Sequence, residues 1–214
     1  MILKNSYFYF QKALTPKFCD EVIQHGSNNF QTALTGNIIK NIKRDLTKHP
    51  LTQKELKELR KKRDSNISWL NDPWIFKEVI PYVKQANELA GWNFEWSISE
   101  HCQFTKYDSA QYYDWHADSS EEPYNRPNAP EHNKIRKLSV TCTLSDPSEY
   151  EGGHLQFYIN SLDLKQKDRI RSCTEILPKG SIVVFPSFIW HRVTPVLSGT
   201  RYSLVIWNLG ENFK

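Results

Sequence analysis

Two stretches of the sequence, far apart in the chain, carry residues that could bind a metal ion. The first ends in His116-Ala-Asp118 and contains several aromatic residues, which favour a β-strand over residues 111–117. Successive side chains of a strand point to opposite faces, so we expect His116 and Asp118 to project the same way. An imidazole and a carboxylate on one face supply two of the three ligands of a facial metal triad. Because a His-x-Asp pattern alone is not specific, the prediction depends on a third ligand elsewhere.

A further imidazole follows an apolar run near the other end of the chain. The pattern of residues 180–191 is typical of a strand, a short turn at Pro186 and Ser187, and then a histidine behind apolar residues. This histidine, His191, is the candidate for the third ligand.

An arginine lies on the next predicted strand, over residues 200–207. The alternation of this strand places Arg201 and Ser203 on one face. Because Gly199 reverses the chain, we expect His191 and Arg201 to lie near each other on neighbouring strands. A desolvated guanidinium costs several kcal/mol unless an anion pairs with it, and its fork suits a carboxylate. Arg201 is therefore a candidate for binding a carboxylate.

The order His116-x-Asp118, His191, Arg201 resembles the 2-oxoglutarate/Fe(II) dioxygenase superfamily, and within it the prolyl 4-hydroxylase-like (PKHD-type) branch. Further stretches that agree with the branch are Tyr107, the strand over residues 136–144, Tyr150-Glu-Gly-Gly-His-Leu155, and the run from Gly180 to Ser203 with its Phe185-Pro186 and Pro195-Val196 pairs. The resemblance covers residues 7–30 and 66–210, and it leaves mainly residues 31–65 unmatched.

The resemblance implies a metal centre in which His116, Asp118 and His191 bind Fe(II). Two imidazoles and one carboxylate occupy one face of an octahedron and leave three positions open, whereas structural zinc sites are closed by four ligands. The implied cosubstrate is 2-oxoglutarate, the implied oxidant is dioxygen, and ascorbate is an optional further cofactor.

The resemblance also assigns residues to the cosubstrate. Arg201 would bind the distal carboxylate of 2-oxoglutarate. Tyr107 and Thr143 occupy positions that help to hold the cosubstrate in the branch, but the branch often has Tyr where Thr143 stands. His154 lies where the branch commonly has another residue, and we expect it not to be a ligand.

The implied reaction is hydroxylation of a substrate C–H bond with release of succinate and CO2. We favour a prolyl residue of a protein or peptide as the substrate, and a free amino acid or other small molecule is the alternative. An AlkB-type nucleic-acid demethylase usually has a second arginine where this chain has Trp207, which weakens that interpretation. A metal-free binding module has no need of the full set of candidate residues.

Composition sets the broad class. The chain has 214 residues, of which 24% are charged, and we expect one domain spanning residues 1–214. A net charge of +4 is too small to indicate nucleic acid as a partner. The four cysteines are scattered and lack CxxC spacing, so we expect reduced thiols. We find neither a signal peptide pattern nor a membrane span, so we expect no membrane partner and a cytoplasmic protein.

The predicted elements are strands supported by helices. Helices are expected over residues 16–26, over residues 52–62, with Glu58 and Lys62 paired, and over residues 72–90. The basic run Arg60-Lys61-Lys62-Arg63 ends the second of these, and a solvated helix face is favoured for it over a contact with phosphates. Strands are expected at residues 7–13, 66–70, 94–107, 111–117, 136–145, 154–160, 173–177, 181–185, 188–194 and 200–208. These elements predict an α+β, mainly β fold: a double-stranded β-helix (jelly-roll) core over about residues 94–210, buttressed by helices within about residues 15–90. Residues 119–134 are expected to form a loop, which either faces the substrate as a lid or is a tolerated insertion.

Overall fold

The computed structural model describes residues 3–33, 48–159 and 168–213, and three helices are found within these ranges. They are α1 (Pro16–Gly26), α2 (Gln53–Arg60) and α3 (Pro73–Leu89). Thr15 caps α1 by accepting a hydrogen bond from the Phe18 backbone, and Pro16 occupies the first turn, where its missing N–H costs nothing. The capping signals in the sequence therefore placed α1 correctly.

Fifteen strands are found in the described part of the chain. In chain order they are β1 (Phe8–Phe10), β2 (Gln31–Thr32), β3 (Arg63–Asp64), β4 (Asn66–Leu70), β5 (Ile98–Ser99), β6 (Cys102–Tyr107), β7 (Tyr112–His116), β8 (Ile135–Thr143), β9 (Tyr150–Gly152), β10 (Leu155–Tyr158), β11 (Ile170–Ser172), β12 (Ile182–Pro186), β13 (His191–Val193), β14 (Val196–Gly199) and β15 (Arg201–Gly210).

The strands form two antiparallel sheets and one separate pair of short strands. The larger sheet has the order β1-β12-β8-β15-β6-β4-β2, with β5 also paired to β15. The smaller sheet has the order β11-β10-β13-β7-β3, and β14 pairs with β9. This arrangement is the predicted jelly-roll core, and the fold is mainly β as expected.

Two apolar clusters hold these layers together. In the first cluster, α1 and α3 pack against the outer face of the larger sheet, and Val22, Val79 and Phe104 are fully buried there. The second cluster lies between the two sheets and includes Phe157 and Phe185. Because α1 and α3 cover the outer face, the larger sheet can contribute residues to a functional site only from its inner face, which points towards the smaller sheet.

Several predicted elements differ in the structure. Residues 173–177 were expected to form a strand, but Thr174–Ile176 is a short 3-10 helix whose Glu175 turns to accept hydrogen bonds from Tyr7 and Arg171. The strand lies just before it, at Ile170–Ser172. The long strand expected over residues 94–107 starts only at Ile98 and is interrupted after Ser99, so that it forms β5 and β6. Before β5, the Asn87 side chain binds the backbone of Phe94 and holds that segment in a loop.

Other expectations fall partly outside the described residues. The irregular segment expected over residues 30–50 includes residues 34–47, and the end of the strand expected over residues 154–160 is residue 160, none of which the structure describes. Among the described residues, no helix has both the length and the apolar character needed to cross a membrane.

Candidate metal centre

His116, Asp118 and His191 meet between the two sheets. One ligand atom from each of the three residues lies within 4.8 Å of those of the other two. The Nε2 atom of His116 is 3.6 Å from Oδ1 of Asp118, and the Nε2 atom of His191 is 3.5 Å from Oδ2. His116 and His191 are directly opposite each other on β7 and β13. The three residues that the sequence singled out are therefore brought together.

Backbone carbonyls fix the orientation of both imidazoles. The Nδ1 atom of His116 is 2.8 Å from the Asp114 carbonyl, and that of His191 is 2.9 Å from the Ile189 carbonyl. Because a carbonyl can only accept, each Nδ1 carries the proton and each Nε2 presents a lone pair towards Asp118. Burial, together with the neighbouring His191, lowers the pKa of His116 well below its usual value, which favours the neutral form that binds metal.

Asp118 is held by the larger sheet. Its backbone N–H donates to the Ser187 carbonyl at 2.9 Å, and its Oδ2 accepts a hydrogen bond from the Ser139 hydroxyl at 2.7 Å. Burial by itself would raise the pKa of this carboxyl. Both imidazoles, the Arg136 guanidinium and the Ser139 hydroxyl outweigh burial and lower the pKa to about 2. Asp118 is therefore a carboxylate at neutral pH.

A β-bulge in β7 brings an unpredicted residue into the site. His191 pairs with His116 but Val193 pairs with Tyr113, so β7 has one extra residue between these two pairs. Asp114 and Trp115 are the bulged residues. The Tyr113 ring consequently stacks on the His116 ring, with centroids 3.6 Å apart. Strict alternation gave no indication that Tyr113 is part of the site.

Arg63 is a second residue that the sequence did not indicate. It is only 5% exposed, and its guanidinium lies 4.5 Å from the centre of the Tyr113 ring. Its Nε donates to Ser65 and its Nη1 lies 3.4 Å from Gln103, while its Nη2 is buried without a hydrogen-bond partner. Among the described residues no carboxylate lies at ion-pair distance from Arg63, so its charge is not compensated within this part of the chain.

The basic run that ends in Arg63 is therefore not one solvated helix face. Helix α2 ends at Arg60, and Glu58 pairs with Lys61 at 2.8 Å rather than with Lys62 as expected. Lys62 instead lies 3.3 Å from Asp114 on β7. The helix ends early because the chain turns into β3, which pairs with β7 and carries these residues towards the site.

Arg201 lies in the opposite sheet from His191. His191 is on β13 of the smaller sheet and Arg201 begins β15 of the larger one, so the expectation that they lie on neighbouring strands was wrong. The chain passes through β14 between them, and β14 crosses from one sheet to the other. Strand alternation was correct, because Arg201 and Ser203 share a face and their side chains are hydrogen-bonded at 3.3 Å.

The inner face of the larger sheet gathers the other predicted residues. Arg201 pairs with Tyr107 on β6, and its guanidinium lies 5.6 Å from the centre of the Tyr107 ring. Ser203 pairs with Thr143 on β8, and directly paired residues share a face. Arg201 is 2% exposed, and no carboxylate of the described residues lies within ion-pair distance of it. An uncompensated guanidinium at this depth is suited to an anionic ligand.

Aromatic residues line the approach to the centre. The Arg136 guanidinium lies 3.9 Å from the centre of the Trp207 ring, and both Nε and Nη2 of Arg136 donate to the Glu100 carboxylate. Trp207 stacks at a tilt beside Trp69, with ring centroids 6.2 Å apart. Trp69 is 45% exposed whereas Trp207 is 5% exposed, so this pair of rings extends from the surface into the interior.

The donor set fits Fe(II) and its cosubstrate. Two neutral imidazoles and one carboxylate form the facial triad of non-haem iron oxygenases, and such a triad leaves positions open for further ligands. His154, which we expected not to be a ligand, is exposed, and the described residues contain no second cluster of this kind. Arg201 is a buried cation of the kind that pairs with a carboxylate.

Comparison with known proteins gives the same family. The model of the 2OG-Fe(II) oxygenase superfamily matches residues 102–208, half of the chain. A PKHD-type hydroxylase of Synechococcus sp. (strain CC9605) is 42% identical over 95 residues, which are 44% of this chain and 35% of the relative. The chain therefore matches only about a third of the length of this relative.

Solved structures share the fold. A viral collagen prolyl hydroxylase from Paramecium Bursaria Chlorella virus-1 superposes with a TM-score of 0.60 at 18% identity and covers 97% of both chains. A prolyl hydroxylase from Trichoplax adhaerens, solved with a hypoxia inducible factor peptide fragment, superposes with a TM-score of 0.60 at 16% identity, covering 96% of this chain and 84% of that one. The segment that the family model matches, residues 102–208, extends from β6 into β15 and contains His116, Asp118, His191 and Arg201. The chain therefore belongs to the 2OG-Fe(II) oxygenase superfamily, whose members use Fe(II) and 2-oxoglutarate.

Proposed function

We propose that this protein hydroxylates a substrate C–H bond, with His116, Asp118 and His191 binding Fe(II) and Arg201 binding 2-oxoglutarate. The proposal rests on one observation: two features lie together in the space between the two sheets. A cluster of three ligand residues lies between the two sheets, with both histidines on the smaller sheet, and an uncompensated, buried guanidinium lies on the facing side of the larger sheet. A binding module without a metal would have no physical reason to keep that guanidinium buried and unpaired.

Each residue has a defined task in this proposal. Fe(II) with 2-oxoglutarate and dioxygen supplies oxidative decarboxylation to succinate and CO2, coupled to insertion of an oxygen atom into the C–H bond. The two imidazoles present Nε2 because their Nδ1 protons are held by backbone carbonyls. Asp118 remains ionised, and Ser139 holds its Oδ2. We assign Tyr107 and Thr143 to the cosubstrate as well, because both are buried on the face of the sheet that carries Arg201.

We further propose that the substrate is a prolyl residue of a protein or peptide. Trp69 is exposed, and so are most residues of the 119–134 loop that follows Asp118, so we expect an extended chain to bind on this side. The Trichoplax adhaerens relative of the same fold was solved with a peptide. A free amino acid or other small molecule is the alternative substrate. Incubation with peptide and amino-acid libraries, read by mass spectrometry as gain of a single oxygen atom, separates the two.

The deciding experiment is an anaerobic titration of the metal-free protein with Fe(II) and 2-oxoglutarate. We expect wild-type protein to develop the visible charge-transfer band of the chelated keto acid. His191→Ala should abolish the band, whereas the control His154→Ala, which removes an exposed histidine, should retain it. Arg201→Leu should weaken 2-oxoglutarate binding and leave Fe(II) binding nearly intact.

The same titration can refute the proposal. Folded wild-type protein that develops no band would favour the metal-free binding module. Equal bands in wild type and His191→Ala would show that the metal lies elsewhere. In a separate aerobic assay with 2-oxoglutarate, wild-type succinate production by both His191→Ala and Arg201→Leu would show that the assigned residues are wrong.

A further inference from the structure

The bulge in β7 is held from outside by Lys62. The Nζ of Lys62 donates a hydrogen bond to the Trp115 carbonyl and lies 3.3 Å from Oδ2 of Asp114. The Asp114 backbone N–H in turn donates to the Lys62 carbonyl at 2.9 Å. One residue thus contacts both bulged residues, through its side chain and through its backbone.

The bulge in turn orients His116. Its carbonyl at Asp114 accepts the Nδ1 proton of His116 at 2.8 Å, which fixes both the tautomer and the ring plane. A bulge disrupts the regular ladder of hydrogen bonds, so its carbonyls need other partners. His116 supplies the partner for the Asp114 carbonyl, and Lys62 supplies one for the Trp115 carbonyl.

The neighbouring basic residues have other partners. Lys61 pairs with Glu58 at 2.8 Å on the exposed surface, and Arg60 lies 3.8 Å from Asp64. Of the lysines in this run, Lys62 alone contacts β7 through its side chain within the described part of the chain. The segment that carries it, from α2 to β3, lies outside residues 102–208, where the family model matches.

We propose that Lys62 is a positioning residue for the metal centre, which clamps the β7 bulge so that His116 presents Nε2 to the metal. This inference rests on the proposed function. It assigns a task to the α2–β3 segment: the segment carries a cation to the back of the bulge. Loss of that cation leaves the Asp114 carboxylate and the Trp115 carbonyl without this partner and allows the bulge to rearrange. The Asp114 carbonyl is the direct partner of the ligand His116, and such direct partners typically contribute about 10- to 100-fold to metal affinity, so Lys62 acts on the lower end of this range through Asp114.

The test compares Lys62→Met with Lys61→Met, which removes the adjacent lysine of the same run, and with Lys62→Arg. Mn(II), a stable substitute for Fe(II), is titrated into the metal-free protein and free Mn(II) is measured by electron paramagnetic resonance. Hydrogen exchange of the peptide covering residues 112–118 is measured without metal. We expect Lys62→Met to raise the Kd for Mn(II) about tenfold and to speed exchange over the bulge. Lys61→Met should have the Mn(II) affinity and the exchange rate of wild type. Lys62→Arg should keep much of the affinity that Lys62→Met loses, because a guanidinium can bind both the Trp115 carbonyl and Oδ2 of Asp114.

The two readouts keep this inference separate from the proposed function. If wild-type protein does not bind Mn(II), the metal centre is misassigned, and exchange over residues 112–118 still decides whether Lys62 clamps the bulge. Wild-type affinity together with wild-type exchange in Lys62→Met would overturn the inference. Asp114→Asn provides a second variant, which removes the charge partner of Lys62 with little change of shape, and we expect it to weaken Mn(II) binding by a smaller factor.

Discussion

The rings of Tyr113 and His116 lie against each other, with centroids 3.6 Å apart and planes inclined by 12°. Three positions separate these residues on β7, so a regular strand would direct them to opposite faces. The extra residue in the bulge returns both rings to the interior. Arg63 lies over the Tyr113 ring as well, so a guanidinium, a phenol and an imidazole are in successive contact at the edge of the metal centre.

Ser139 is expected to tune the metal centre through Asp118. Its hydroxyl donates to Oδ2 at 2.7 Å and lies 2.9 Å from the Ser187 hydroxyl, so the carboxylate is restrained and Oδ1 is left available. Ser139→Ala should weaken Mn(II) binding by about tenfold, as loss of an outer partner of a ligand typically does. Titration of Mn(II) into wild type and variant measures the change.

Ser68→Ala is the matched control for Ser139→Ala. Ser68 is also buried and donates to the Gly26 carbonyl at 2.6 Å, but it faces the helices rather than the metal centre. Its loss should lower the free energy of unfolding by about 1 kcal/mol and leave Mn(II) affinity unchanged. Equal losses of affinity in the two variants would indicate general destabilisation and remove the specific role of Ser139.

Local sequence signals were sufficient for much of the fold. The bounds of α1 follow from Thr15 and Pro16, which are capping signals read within a few residues. Both ends of β4 were predicted correctly, and the alternation of β15 correctly predicted that Arg201 and Ser203 share a face. Such features depend on the strand period or on the helix terminus alone, so one sequence is enough to predict them.

Features that depend on pairing between distant strands could not be predicted. The bulge exists because β7 and β13 pair with unequal numbers of residues, and nothing within residues 111–117 shows this. In the sequence, Arg63 belongs to a basic run that is typical of a solvated helix. Only the pairing of β3 with β7 shows that its side chain is buried. The placement of Arg201 opposite His191 depends on how β14 connects the two sheets.

The cysteine thiols should be unreactive in the folded protein. Cys19, Cys102, Cys142 and Cys173 are all buried and free. Burial raises the pKa of Cys19 to about 11 and that of Cys102 to about 12, so little thiolate forms at neutral pH. We expect iodoacetamide to modify none of the four in the native protein and all four in guanidinium chloride, as counted by mass spectrometry. Rapid labelling of the native protein would contradict this arrangement.

Arg63 is buried and Arg136 is half-buried near the metal centre, and we expect their substitutions to differ in their effect on stability. Arg136 is paired with Glu100 through two donors, so Arg136→Met leaves a largely buried carboxylate unpaired and should lower the free energy of unfolding by about 3 kcal/mol. Arg63 has no acidic partner among the described residues, so Arg63→Met removes an uncompensated charge and should change stability by less than about 1 kcal/mol. Denaturant unfolding of both variants measures the difference. A similar large loss in both would mean that the fold depends on Arg63.

Gly153 is expected to control the position of Arg201. Its φ of +59° lies in the left-handed region, and a Cβ atom there would be 2.8 Å from Cδ of Arg201 and 3.0 Å from Val196. Gly153→Ala should therefore displace the guanidinium and weaken 2-oxoglutarate binding by about tenfold, or about 1.4 kcal/mol, with little change in Mn(II) affinity.

Gly91→Ala separates this displacement from backbone strain. Gly91 also has a positive φ, +74°, but a Cβ atom there would meet nothing within 4 Å. Its substitution should cost about 1 kcal/mol of stability and leave 2-oxoglutarate binding unchanged. The anaerobic titration of 2-oxoglutarate at saturating Fe(II) compares the two variants. If Gly153→Ala binds 2-oxoglutarate as wild type does, there are two explanations: Arg201 tolerates the added methyl group, or Arg201 does not bind the distal carboxylate. Arg201→Leu in the same titration distinguishes them, because only in the first case does it weaken 2-oxoglutarate binding.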